Sequence, residues 1–144
     1  MKSFLVASLL IFSICNNSLM AEDIKYVHKD IMKFLNILHQ VETSGRLGAI
    51  KGDEGKALGP FQIWESYYRD AVEQSEGKLN KPYSSVADIK YAREVVLWYF
   101  YRYAPKSLED GNFEKLSKIH NGGPNGHNNP KTEKYWLKVK KYLK

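Results

Sequence analysis

Between Gly45 and Gly59 the chain places glycine at positions 45, 48, 52, 55 and 59, and the helical periodicity that flanks this stretch disappears within it. Such a run cannot sustain a helix, because each glycine costs about 1 kcal/mol there relative to alanine. Tight turns and close backbone approaches, by contrast, use glycine readily. The short segments Leu47 to Lys51 and Lys56 to Leu58 therefore predict a small irregular hairpin or three-stranded ribbon. This divides the chain into a leading helix, a ribbon and a longer helical part, a mainly α arrangement with a minor β element.

Val27, Ile31, Phe34, Leu35, Leu38 and Val41 recur at helical spacing and predict an amphipathic helix over residues 24–43, whose last turn carries Glu42. A second helix is expected from Trp64 to Gln74, followed by a polar linker over residues 75–82. Ser85 and Asp88, three residues apart, resemble a capping pair. The dense apolar face of Ile89, Ala92, Val95, Val96, Tyr99, Phe100 and Tyr103 predicts the central core helix, stopped by Pro105. A shorter helix over residues 113–119 leads into a loop at His120, and a last one over residues 132–142 carries Tyr135, Trp136 and Val139, giving about five helices. No internal repeat is visible.

The N-terminus reads Met1-Lys2, an apolar stretch from Phe4 to Ile14, and Ala21 before the acidic pair Glu22-Asp23. This pattern predicts a signal peptide over residues 1–21 and export of a single domain, residues 22–144, to the periplasm or medium. The apolar core is about half the roughly 20 residues of a spanning helix, so no stable membrane insertion is expected after cleavage. Cys15 is the only cysteine, so the mature domain has no disulfide and depends on packing. Removal of Lys2 lowers the formal charge from +6 to +5, which favours an anionic partner. Bacterial cell wall fits that charge. Nucleic acid fits the charge alone, and no motif supports it. The four histidines lack metal-ligand spacing, and no phosphate loop or dinucleotide fingerprint is present, so no cofactor or metal is expected. Trp64, Trp98 and Trp136 are expected in the core rather than on a ligand platform.

Two carboxylates bracket the start of the ribbon: Glu42 at the helix end, and Asp53 in a turn between Gly52 and Gly55, with Glu54 beside it. Glycoside hydrolysis needs such a pair, one group to protonate the leaving oxygen and the other to attack or stabilise the oxocarbenium-like centre. Neighbouring residues of a strand point to opposite faces, so only one of Asp53 and Glu54 can face a cleft there.

The run Glu42-Thr-Ser-Gly, then Gly52-Asp-Glu-Gly55 and Ala57-Leu-Gly-Pro-Phe-Gln-Ile63, followed by Tyr67-Tyr68 and Asp70-Ala71, resembles the catalytic region of invertebrate-type (destabilase) lysozymes. His120-Asn-Gly-Gly-Pro-Asn-Gly126 resembles that family's second signature. The resemblance spans residues 30–140 and implies an α+β lysozyme-like fold. It also implies cleavage of the β-1,4 linkage between N-acetylmuramic acid and N-acetylglucosamine in peptidoglycan. By position it gives Glu42 as general acid and Asp53, ahead of Glu54, as nucleophile or stabiliser. Gln62, Tyr68, His120, Asn121, Gly122 and Gly123 are the expected glycan contacts. Some family members are credited with isopeptidase activity through Ser and His, for which Ser44 and His120 or His127 are the available positions. The many disulfides of animal members are missing, which suggests a bacterial-type member. Alternatives are a lytic transglycosylase and a noncatalytic peptidoglycan-binding adaptor of an envelope machine. Lysozyme inhibitors or envelope-machine proteins are the expected protein partners.

Overall fold

The computed structural model describes residues 27–144. The expected signal segment and residues 24–26 of the predicted first helix lie outside the described residues.

Helix α1 (Ile31–Thr43) starts later than its periodicity predicts. Residues 27–30 are not helical, because the His28 N–H donates to the Leu108 carbonyl at 2.9 Å and ties this entry segment to a distant part of the chain. Ile31, Phe34, Leu35 and Leu38 are buried along one face, as the spacing requires. Ser44 ends the helix in a left-handed conformation (φ 54°), its N–H returning to the Gln40 carbonyl.

The glycine-rich segment forms three two-residue strands, β1 (Lys51–Gly52), β2 (Ala57–Leu58) and β3 (Ile63–Trp64), antiparallel in the order β1-β2-β3. Lys51 pairs with Leu58 and Ala57 with Trp64. So short a ribbon does not hold itself together. It is anchored by the buried Ala57, Phe61 and Ile63, and by the Thr43 hydroxyl, which donates to the Pro60 carbonyl at 3.1 Å. Gly52 lets the Gln62 side chain lie close against the ribbon: a Cβ there would sit 1.8 Å from the Gln62 Oε1 and displace that amide.

Helices α2 (Glu65–Gln74) and α3 (Ile89–Tyr103) pack together. Tyr91, Ala92 and every residue from Val95 to Phe100 are buried, so α3 is enclosed almost all round and forms the centre of the core. Asp88 alone caps it, accepting the Tyr91 N–H at 2.9 Å; Ser85 lies in a separate 3₁₀ turn over Tyr83–Ala87. Pro105 ends α3 as expected, yet it also opens a further helix, α4 (Pro105–Asp110). Proline lacks the N–H that a first helical position leaves unbonded, so it starts a helix as readily as it stops one. Helix α5 (Phe113–Gly122) is capped by Asn112. It runs through His120 and Asn121, which therefore stand on a helical last turn and not on a loop. Helix α6 (Glu133–Lys140) returns to α1, and Lys118 of α5 joins it through an ion pair with Glu133 at 2.7 Å. The described residues thus hold six α-helices and one small sheet. None of these helices is long and apolar enough to cross a membrane.

Candidate active site

The end of α1, the ribbon, α2, α3 and the end of α5 enclose a cleft of about 480 Å³. Glu42 and Asp53 both line it. So do Gln62, Trp64, Ser66, Tyr67 and Asp70 from the ribbon and α2, Tyr99 from α3, and His120 and Asn121 to Pro124 from the end of α5 and the residues after it. The expected catalytic pair and most of the expected glycan contacts therefore share one cavity.

Glu42 is held firmly. Its Oε1 accepts the Tyr135 hydroxyl from α6 at 2.6 Å, and the His120 Nε2 stands 3.4 Å from the same oxygen. The orientation of His120 follows from its other partners. Nε2 lies 3.2 Å from the Phe61 carbonyl, which can only accept, so Nε2 carries the hydrogen. Nδ1 then accepts the Tyr67 hydroxyl at 3.1 Å. Tyr67, His120, Glu42 and Tyr135 are thereby brought together from α2, α5, α1 and α6, with hydrogen bonds joining the first two and the last two. One oxygen of Glu42 is occupied, which leaves Oε2 free.

Asp53 is presented differently from the strand geometry that the sequence predicts. Asp53, Glu54 and Gly55 form a tight turn with φ values of 48°, 57° and 89°. Two consecutive non-glycine residues in the left-handed region store strain, a feature that concentrates at functional sites. Asp53 lines the cleft and Glu54 does not. The turn, rather than strand alternation, makes the selection. The Trp64 indole N–H donates to Asp53 Oδ2 at 3.0 Å. Trp64 is 44% exposed, so it belongs to the cleft wall and not to the core, unlike Trp98.

The remaining expected contacts divide. Gln62 borders the cleft, but its amide nitrogen donates to the Ile50 and Gly59 carbonyls at 3.1 and 3.0 Å, which makes it a brace of the ribbon. Tyr68 is absent from the cleft lining; its hydroxyl donates to the Lys81 carbonyl. Successive helical residues are about 100° apart, so one of the tyrosine pair must turn away, and Tyr67 faces the cleft. Ser44 is exposed and does not line the cleft, whereas His120 does.

Tyr135, Trp64, Ser66 and Asp70 were not singled out from the sequence as site residues. A signal existed for two of these: Ser66 and Asp70 are four apart on α2 and share a face, and Asp70 lies three beyond Tyr67. Tyr135 offered a fainter one, because a phenol in an apolar stripe must find a partner for its hydroxyl.

Burial pushes the Tyr67 and Tyr135 phenols well above their ordinary value. Neighbouring Tyr99 and then Glu42 reinforce the effect for Tyr67, and Glu42 does so for Tyr135. Burial raises Tyr99 also, and raises Tyr91 to about 12. In the unfolded chain these groups ionise near pH 10. The native state then holds more protons than the unfolded state above that pH, so stability present below about pH 10 is lost as pH rises towards the folded values. Titration with base is expected to show tyrosinate absorbance and loss of ellipticity rising together above about pH 10. Ionisation of all tyrosines with the fold intact would contradict this burial.

A mainly helical α+β fold with a carboxylate-lined cleft between a helix end and a small ribbon defines the lysozyme-like class. Residues 33–142 match the model of the family described as Destabilase, and the chain belongs to that family. It is 39% identical to a lysozyme of Magallana gigas over 84 residues, 58% of this chain and 58% of that protein. It is 37% identical to an invertebrate-type lysozyme of Ruditapes philippinarum over 86 residues, 59% of this chain and 60% of that protein. The match thus spans under two thirds of the length of these curated relatives. Among solved structures, Tapes japonica lysozyme superposes with a TM-score of 0.65 at 30% identity, covering 80% of this chain and 89% of that one. A chain in the structure of Aeromonas hydrophila PliI in complex with Meretrix lusoria lysozyme gives a TM-score of 0.64 at 29% identity with the same coverages.

Proposed function

We propose that this chain is an exported muramidase that hydrolyses the β-1,4 linkage between N-acetylmuramic acid and N-acetylglucosamine in peptidoglycan, with Glu42 as general acid and base and Asp53 as nucleophile or stabiliser. The observation that carries the reading is the pair of carboxyl groups lining one cleft, each fixed by one neutral donor, Tyr135 on Glu42 and Trp64 on Asp53. With Oε1 engaged, the Glu42 proton resides on Oε2 and passes to the glycosidic oxygen as the bond breaks. Asp53 Oδ1, left free by the indole, meets the anomeric carbon. Glu42, now ionised, takes a proton from the incoming water. The exposed Trp64 offers a stacking surface for a sugar ring, and Asn121 to Gly123 supply further lining of the same cleft.

A proteinaceous inhibitor is a fitting partner, since a structural neighbour is a complex between PliI and a lysozyme. Envelope-machine proteins remain partners of the adaptor reading alone.

The test is a digest of purified peptidoglycan with the products resolved by mass. Reducing-end muropeptides are expected. Products lighter by one water would carry an anhydro ring and identify a lytic transglycosylase, for which Asp53 would have no covalent role. Binding without any release would identify the noncatalytic adaptor.

A further inference from the structure

The cleft lining contains three carboxylates, Glu42, Asp53 and Asp70, and neither lysine nor arginine, although the whole chain carries a formal charge of +6. Each is held by a neutral aromatic donor: Tyr135 on Glu42, Trp64 on Asp53, and the Tyr103 hydroxyl on Asp70 Oδ2 at 2.8 Å. Among the described residues none of the three forms an ion pair with a lysine or arginine side chain. Arg102, which reaches the Asp70 backbone, spends its guanidinium on the Glu73 carboxylate at 2.8 Å and on the Asp70 main-chain carbonyl at 3.2 Å. The proposed hydrolysis uses two of these carboxylates and leaves Asp70 without a task.

Asp70 is half-buried on α2, one turn beyond Ser66, so the two point into the cleft from the same helix face. Tyr103 fixes one carboxylate oxygen and leaves the other open. A polymer lying in the cleft strips water from that oxygen, and an unpaired desolvated carboxylate is costly unless the ligand donates to it. An ammonium group satisfies it best, through a charge-assisted hydrogen bond about twice as strong as a neutral one.

We infer that Asp70, with Ser66, forms a subsite for a primary ammonium group carried by the wall polymer, so that substrates bearing free amines are preferred. This rests on the muramidase reading for its kinetic readout. The ammonium has two sources, the amine of a diamino acid in the stem peptide and the amine of a sugar lacking its acetyl group.

The global charge makes the opposite forecast, which gives the experiment its sign. Acetylating the amines of peptidoglycan makes the polymer more anionic, and a cationic protein steered by net charge would then bind it more tightly. The subsite requires the reverse: KM for the acetylated polymer rises about tenfold over that for the untreated one. In Asp70→Asn the two KM values converge. Removing the stems with an amidase abolishes the preference if the stem amine is its source and leaves it intact if the sugar amine is. Equal or tighter use of the acetylated polymer by the unmodified protein would overturn the subsite. So would an Asp70→Asn variant that retains the tenfold preference. Cosedimentation with intact and acetylated peptidoglycan supplies the same comparison without catalysis. Absent cleavage with retained amine preference in binding would therefore reject the muramidase reading alone, while cleavage without preference rejects the subsite alone.

Discussion

Glu42→Gln is expected to lower peptidoglycan cleavage roughly 10³-fold, within the range for loss of a general acid and base, while leaving the fold unchanged. Glutamine has the shape of glutamate, and its amide oxygen can still accept the Tyr135 hydroxyl that now reaches Oε1 at 2.6 Å. What disappears is the transferable proton on the other atom. The loss should fall on kcat with little change in KM, since Trp64 and Asn121 to Gly123, the proposed sugar contacts, are untouched. Rates of reducing-end release, with circular dichroism as the control on folding, make the measurement. A variant with native ellipticity that still releases reducing ends at the original rate would remove Glu42 from the chemistry.

Gly126→Ala should cost about 3 kcal/mol of stability and lower the melting temperature by about 10 °C. A Cβ at Gly126 would lie 2.0 Å from the Lys118 carbonyl oxygen and 2.8 Å from its carbon. Both are backbone atoms of α5 and cannot swing aside. The carbonyl of Gly126 is itself fixed by the Thr132 hydroxyl at 2.8 Å, so the turn cannot retreat either. The displaced element is the helix that presents His120, and activity should fall along with stability. Gly123→Ala is the comparison. Its φ of 81° with ψ of −169° lies where essentially glycine alone is found, yet open space surrounds the added carbon, and the cost should be about 1–3 kcal/mol. Thermal melts of both variants decide the matter; equal losses would mean that backbone strain, and not the close approach to α5, dominates at this corner.

The periodicity of α3 was legible because over half of that helix, including every residue from Val95 to Phe100, is buried, and burial leaves a dense apolar record. The ribbon was legible from its glycines. Helix α4 was not, since Pro105 reads as a stop and its role as a first helical residue depends on where the following chain packs. The same limit applied within the site. Glu42 and Asp53 announced themselves by motif, but the choice of Asp53 over Glu54 turned on two left-handed residues that strand alternation does not describe. Tyr68 was the expected glycan contact, but the rotation of α2 turns Tyr67 to the cleft instead. Tyr135 reaches Glu42 across 93 positions, and nothing local to either residue encodes such a pairing. Asp70 was noticed within a motif, yet its exposure to the cleft became apparent only once α3 supplied Tyr103 as its fixed partner.

The bond between Tyr135 and Glu42 also sets an order of events. Glu42 lies on the first helix described and its anchor on the last, so a nascent chain emerging N-terminus first has its acid exposed long before the group that orients it. The carboxyl geometry is completed only when α6 docks against α1. The acid is thus oriented only after the last described helix has been made, and that order is written into the topology.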